Sequence, residues 1–162
     1  MIARKTLIIL AILLIVIAVV AIYLSLPKNN TTMTASLNQN QQSQTSFNIQ
    51  GMKVEILRQG TGEGAKAGDN ISVNYTGTLP DGTKFDSSVD PSFGHVAPFS
   101  YTLGQNQVIQ GWELGLLGMK VGEKRRLTIP PELGYGAAGR PPVIPPNATL
   151  IFEIDMLSIN GK

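Results

Sequence analysis

The 162-residue chain contains no cysteine, a single histidine (His95) and a single tryptophan (Trp112). Without cysteine there are no disulfides, no thiol redox chemistry, no cysteine nucleophile and no thiolate zinc site, and one histidine leaves His-rich metal sites and Ser-His-Asp catalysis without their parts. Charge is also sparse at 15%, with a formal net of +2. That excess is local: Arg4, Lys5 and Lys28 precede residue 29 with no acid beside them, so the remainder carries ten Lys and Arg against eleven Asp and Glu. A nearly neutral body with one basic run, Lys124-Arg125-Arg126, is not a nucleic-acid footprint, and the run reads as solvated side chains on a strand. The acids are scattered among turn residues with no evident pair for acid–base hydrolysis. The Gly-rich pieces Gly60–Gly64 and Gly134–Gly136 lack the Lys-Ser/Thr of a phosphate cradle.

What is present divides into three parts. Residues 7–24, LIILAILLIVIAVVAIYL, form an unbroken apolar run that approaches the hydrocarbon thickness of a bilayer, so residues 1–27 read as a transmembrane anchor, in contact with the membrane through residues 7–26. A cleaved signal peptide is the alternative, although the run exceeds the usual core and no clean A-x-A site follows. Two basic residues before the span against one after it place the N-terminus in the cytoplasm and the rest outside. Residues 28–50 are rich in Asn, Gln, Ser and Thr and read as a tether spanning roughly 25 Å. Two glycosylation sequons overlap at Asn29 and Asn30.

From residue 51 onward, short apolar–polar alternations are separated by Gly, Pro, Asn and Asp, the pattern of antiparallel β structure. Ile71, Val73 and Tyr75 share one strand face, Pro80-Asp81-Gly82 supplies a turn, and Thr83–Asp86 returns as the partner strand. Arg125, Leu127 and Ile129, and then Leu150, Phe152, Ile154 and Met156, mark two further strands. Helical spacing occurs only between Gln107 and Leu117, with Trp112 and Leu116 one turn apart. The expectation is an α+β domain, residues 51–162, with a twisted antiparallel sheet of about five strands and one short helix. Aromatics beside Gly and Pro are unusually frequent: Tyr75, Phe85, Phe99, Tyr101, Trp112 and Tyr135. If they converge, they make an apolar cup rimmed by hydroxyls.

Five co-linear segments carry a specific resemblance: Val73-Asn74-Tyr75-Thr76-Gly77, Asp81–Ser88, Val108-Ile109-Gln110-Gly111-Trp112-Glu113, Gly134-Tyr135-Gly136, and Ile144–Phe152. Together they resemble the FKBP-type peptidyl-prolyl cis-trans isomerases over about residues 51–160. The resemblance implies a sheet wrapped around a short helix and a pocket between them for an X-Pro segment. It implies Trp112 as the pocket floor; Tyr75, Phe85, Phe99, Val108, Ile109 and Phe152 as walls; and Tyr135 and Ile144 on a rim loop. Asp86 would lie beside the bound carbonyl, with the Tyr135 hydroxyl and the Ile109 N–H as donors. Proline-containing polypeptides would be the partners, macrolides possible inhibitors, and no cofactor or metal is required.

Chemistry supports such a reading. The amide rotation barrier of about 18–20 kcal/mol reflects resonance that separates charge, so an apolar pocket favours the twisted form over the planar one without a nucleophile. The chain departs from the family in two places. The segment Val89–Ala97 is a few residues longer than in compact members and lacks the basic residue that often pairs with the pocket Asp; His95, within it, reads as structural or incidental. The rim carries Arg140 and the double proline Pro141-Pro142. The combined expectation is a monomeric, membrane-tethered isomerase outside the cytoplasm, assisting folding of secreted or membrane proteins. A non-catalytic proline-binding module and a released secreted enzyme are the alternatives.

Overall fold

The computed structural model describes residues 46–162. The apolar run at 7–24, and with it the expected anchor, lies outside them; no helix among the described residues is long and apolar enough to cross a membrane. Strands β1 (Ser46–Ile49), β2 (Met52–Arg58), β8 (Lys124–Ile129), β9 (Leu150–Ile159), β4 (Asn70–Thr78) and β5 (Lys84–Ser87) follow one another across an antiparallel sheet, and β6 (Phe99–Thr102) also pairs with β4. Two short strands, β3 (Thr61–Gly64) and β7 (Lys120–Val121), form a separate ladder. The only α-helix among the described residues is α1 (Gln110–Gly115). The α+β class therefore holds, while the described residues form nine strands rather than about five. Of the strands not located from the sequence, β2 is seven residues long and β1, β3, β6 and β7 only two to four, too short for alternation to reveal; these short ones exist because a neighbouring edge offers them hydrogen bonds.

One boundary moves. Ser46–Ile49, the end of the expected tether, pairs residue for residue with β2 from Ser46↔Glu55 to Ile49↔Met52. The connecting Gln50 and Gly51 have φ of 48° and 85°, the positive values that a two-residue hairpin needs. The strand buries little; the ladder holds it, helped by the Phe47 ring lying 5.8 Å from the Arg125 guanidinium.

The core forms where the alternating faces of the long strands meet α1. Met52, Val54, Ile71, Val73, Leu127, Ile129, Leu150 and Ile154 have no exposed surface. The helix can lie against this layer because it presents Gly111 and Gly115 one turn apart. A Cβ at Gly111 would stand 2.6 Å from Ile129 Cγ2, and one at Gly115 2.6 Å from Leu127 Cδ1. Close approach fixes the helix on the sheet and so fixes Trp112, which lies between the two glycines and is 4% exposed.

Arg125 corrects the reading of the basic run as solvated. Its neighbours Lys124 and Arg126 do pair with Glu153 on the outer face of the sheet, but Arg125 alternates inward with Leu127 and Ile129 and is 4% exposed. Its Nε donates to Glu123, which is 2% exposed, and its Nη1 donates to the carbonyls of Gly115 (2.7 Å) and Leu117 (3.0 Å). A buried charge persists only when paired and hydrogen-bonded, and this one also ties the C-terminal end of α1 to β8.

Candidate functional site

Strand β4 is the frame of the site. On one edge it pairs along its length with β9; on the other, β6 takes Asn70–Val73 and β5 takes Thr76–Thr78, leaving a gap at Asn74 and Tyr75. Ser88 fills that gap. Its hydroxyl accepts from the Tyr75 N–H at 2.9 Å, and its own N–H donates to the Tyr75 carbonyl at 3.0 Å. The chain between β5 and β6 is thereby free to leave the sheet as a loop beside Tyr75. Earlier in the β4–β5 hairpin, Leu79 and Thr83 close the expected turn, with Gly82 at φ +87° and the Asp81 carboxylate accepting from the Thr83 N–H at 2.9 Å.

Between the sheet and α1 opens a cavity of about 570 Å³. Tyr75, Phe85, Asp86, Phe99, Val108, Ile109, Trp112, Tyr135, Ile144 and Phe152, all ten candidate residues, line it. The rings of Tyr75 and Phe152 meet Trp112 edge-on, with centroids 5.1 and 5.2 Å away, and Phe85 meets Phe152 edge-on at 5.3 Å. Such edge-to-face contacts are the favoured aromatic geometry, and they leave little freedom for the ring faces that bound the cavity. Val108 and Ile109 are contributed by the segment entering α1, of which Ile109 is the N-cap residue. Ile144 comes from the rim loop, closed by paired bonds between Arg140 and Ile144 of 2.8 and 3.0 Å. The Pro141–Pro142 bond in that loop is cis.

The polar side is concentrated on Asp86. Tyr75 Oη donates to Asp86 Oδ2 at 2.8 Å, and the Ser87 N–H donates to Oδ1 at 2.9 Å. Burial, and then the bond to Asp86, push the Tyr75 phenol well above its ordinary range, so it stays protonated and donating. Asp86 is thus a fixed acceptor at the mouth of an apolar cup. The Tyr135 ring carries the Arg140 guanidinium 6.0 Å from its centroid. At the floor, Trp112 Nε1 is buried with no acceptor among the described residues.

Five cavity residues were not among the candidates: His95, Gln107, Arg140, Pro141 and Val143. His95, expected to be structural or incidental, has its Nε2 3.3 Å from Asp86 Oδ1. The inserted loop folds back because the Asp90 carboxylate accepts from Ser92 N–H at the start of the 3₁₀ turn Pro91–Phe93, and Gly94 reverses the chain at φ +76°. The Lys84–Asp90 pair at 2.8 Å fastens this loop to β5. An Asp-Pro followed by Gly was a visible turn signal; where the turn would aim His95 was not.

Comparison with known proteins agrees with this architecture. A family model described as FKBP-type peptidyl-prolyl cis-trans isomerase matches residues 61–157. The chain is 53% identical to an "FK506-binding protein" of Neisseria meningitidis serogroup B over 109 residues, covering 67% of this chain and 96% of the relative. It is 47% identical to a "Peptidyl-prolyl cis-trans isomerase" of Schizosaccharomyces pombe over 113 residues, 69% of this chain and 97% of that one. To "FK506-binding protein 1A" of Aspergillus fumigatus it is 50% identical over 113 residues, 69% and 97%. With the matched segment running through every strand and loop that bounds the cavity, the chain belongs to the FKBP-type peptidyl-prolyl cis-trans isomerases.

Proposed function

We propose that this isomerase acts on X-Pro bonds of polypeptides folding outside the cytoplasm, while held at the membrane by residues 7–26 as a monomer. The observation that carries the catalytic part is the pairing of an aromatic-floored cavity with one anchored carboxylate: Trp112 and Phe152 remove water from the amide, and Asp86, held by Tyr75 and Ser87, sits at its polar edge. Desolvation disfavours the charge-separated planar amide relative to the twisted one. Hydrogen bonds that form best to the twisted amide add selective stabilisation, with the Tyr135 hydroxyl and the Ile109 N–H as the donors. A million-fold acceleration requires about 8 kcal/mol, more than either contribution supplies alone. The apolar run of residues 7–24, with basic residues before it, supports the external, anchored location. The same cup would accept macrolide inhibitors.

The test is exchange-NMR or protease-coupled isomerisation of an Ala-Leu-Pro-Phe peptide by the full chain beside Asp86→Ala, Tyr135→Phe and Trp112→Ala. Acceleration that falls roughly tenfold or more in Asp86→Ala is expected, the scale of one hydrogen bond to a charged group. A folded protein that binds the peptide saturably without accelerating exchange would establish a binding module instead. Protease protection of residues 46–162 in sealed vesicles versus spheroplasts reports the side on which the domain lies.

A further inference from the structure

We propose that Arg140 is a specificity-determining residue of the isomerase: from the rim of the cavity its guanidinium selects polypeptides that carry a carboxylate beside the X-Pro pair. This rests on the isomerase reading of the cavity and adds to it a substrate class, proline segments flanked by Asp or Glu.

Arg140 is the arginine whose charge the fold does not use. Of the four arginines among the described residues, Arg58 pairs with Asp155 at 2.7 Å, Arg126 with Glu153 at 2.6 Å, and Arg125 with the buried Glu123. No carboxylate among the described residues comes within ion-pair distance of Arg140. Its guanidinium lies 6.0 Å from the centroid of the Tyr135 ring, and a guanidinium against an aromatic face keeps its N–H edge free for a carboxylate. The main chain fixes where this group is presented. The Arg140 N–H donates to the Ile144 carbonyl at 2.8 Å and the Arg140 carbonyl accepts from the Ile144 N–H at 3.0 Å, while Ile144 is 4% exposed and lines the cavity. Pro141 directly after Arg140 disfavours the helical region for it. Gly139 before it has φ +61° and packs so closely that a Cβ would stand 2.5 Å from the Ile144 oxygen. The stem is anchored to the cavity wall, and the residue is exposed.

The cavity is lined by one carboxylate, Asp86, and one guanidinium, Arg140. Asp86 is already engaged by the Tyr75 hydroxyl and the Ser87 N–H. Both charges act on the Tyr75 phenol with opposite sign, which places them around the same hydroxyl at the mouth. The inner walls of Phe85, Trp112 and Phe152 have nothing to offer a charge, so the X-Pro pair itself must be apolar. A substrate carboxylate finds a partner only outside the cup, on the Arg140 side, because on the other side it meets Asp86. There the fork of the guanidinium matches a carboxylate, whereas a substrate Lys or Arg is repelled. The pair forms outside the twisting amide and in solvent, so it lowers KM by a modest factor and leaves kcat nearly unchanged.

The experiment follows isomerisation of Ala-Glu-Leu-Pro-Phe-Ala and Ala-Leu-Pro-Phe-Glu-Ala, each beside its Gln and Lys counterparts, by exchange NMR with the full chain. In at least one of the two positions kcat/KM should be about two- to fivefold higher for Glu than for Gln, with Lys below Gln, the scale of a solvent-accessible ion pair. The Glu:Gln ratio should fall to about 1 in Arg140→Gln and invert in Arg140→Glu, which should prefer Lys. It should also shrink between about 0.05 and 0.5 M salt, as screening shortens the reach of the charge. A ratio taken on one variant cancels any general effect of the substitution on the cup. A ratio of about 1 at both positions in the parent, one that survives in Arg140→Gln, or one that salt does not change overturns the role of Arg140 with the isomerase reading intact. Absence of turnover on every peptide overturns the isomerase reading, and the same ratio is then read as Kd from the fluorescence of Trp112, the single tryptophan. A Kd preference for Glu that disappears in Arg140→Gln upholds the role of Arg140 in a binding site, and equal Kd values in the parent overturn it.

Discussion

Replacing Arg125 with Met should be among the most damaging single changes outside the cavity. The side chain is 4% exposed, and its partner Glu123 is 2% exposed. Removing the guanidinium leaves the Glu123 carboxylate with the Lys120 N–H as its remaining donor, at 3.0 Å, and strips donors from the Gly115 and Leu117 carbonyls at the end of α1. Breaking a buried pair from one side costs about 3–5 kcal/mol, because an uncompensated charge stays behind. For a domain of this size each kcal/mol moves Tm by about 4 °C, so the expected fall is about 12–20 °C. The double variant Glu123→Leu/Arg125→Met removes both charges, leaving the helix-end carbonyls without their donors and the Lys120 N–H without its side-chain acceptor. It should recover more than half of the loss, a positive coupling in the double-mutant cycle. Calorimetry and urea unfolding of the parent, both single variants and the double variant measure this directly. A single-variant shift under about 3 °C, or a double variant no better than Arg125→Met, would refute the assignment of Arg125 as a buried, paired charge.

Two further outcomes follow from the same geometry. In Gly77→Ala the new Cβ would stand 2.6 Å from Phe85 Cε2 and Cζ and 2.8 Å from Phe152 Cε1. Overpacking of this kind costs about 1–3 kcal/mol and pushes both rings toward the cavity, so calorimetry should show a lower Tm and peptide titration a weaker Kd; an unchanged Kd would mean that the rings do not set the cavity's shape. Asp90 is held down to about 2 by the hydrogen bond from Lys84 and then by those from Ser92. A depressed carboxyl stabilises the folded state above its ordinary value of 3.8 and ceases to as pH falls through about 2, so the Asp90 carboxyl carbon should titrate near 2 by NMR, and Asp90→Asn should raise backbone mobility over residues 91–97. A midpoint near 3.8 would show that the tie between the loop and β5 is not made.

The parts of the fold legible in the sequence were those in which local pattern and tertiary environment ask for the same thing. β4, β8 and β9 alternate over six to ten residues because each buries one face. The Asp81-Gly82 turn is determined by its own backbone needs. The cavity residues were recognisable as types and as a motif order, since an apolar cup must be made of aromatic and aliphatic side chains wherever they lie in the chain.

Three things were decided by tertiary structure alone. Ser46–Ile49 has the composition of a tether, and only the open edge of β2 makes it a strand. Arg125 sits in a run of three cations that look alike in sequence. Its inward register and the presence of Glu123 and two helix-end carbonyls within reach make it a buried tie rather than a solvated charge. His95 lies nine residues after Asp86 in a loop with no periodicity to give it a direction. The gap in β4 filled by Ser88, the Lys84–Asp90 fastening and the reversal at Gly94 together bring it to 3.3 Å from the carboxylate. Sequence determines what a side chain can do through its own chemistry and its strand parity. Its partner is set by the meeting of distant segments, and for charged groups the partner decides whether the charge is buried, exposed or part of the site.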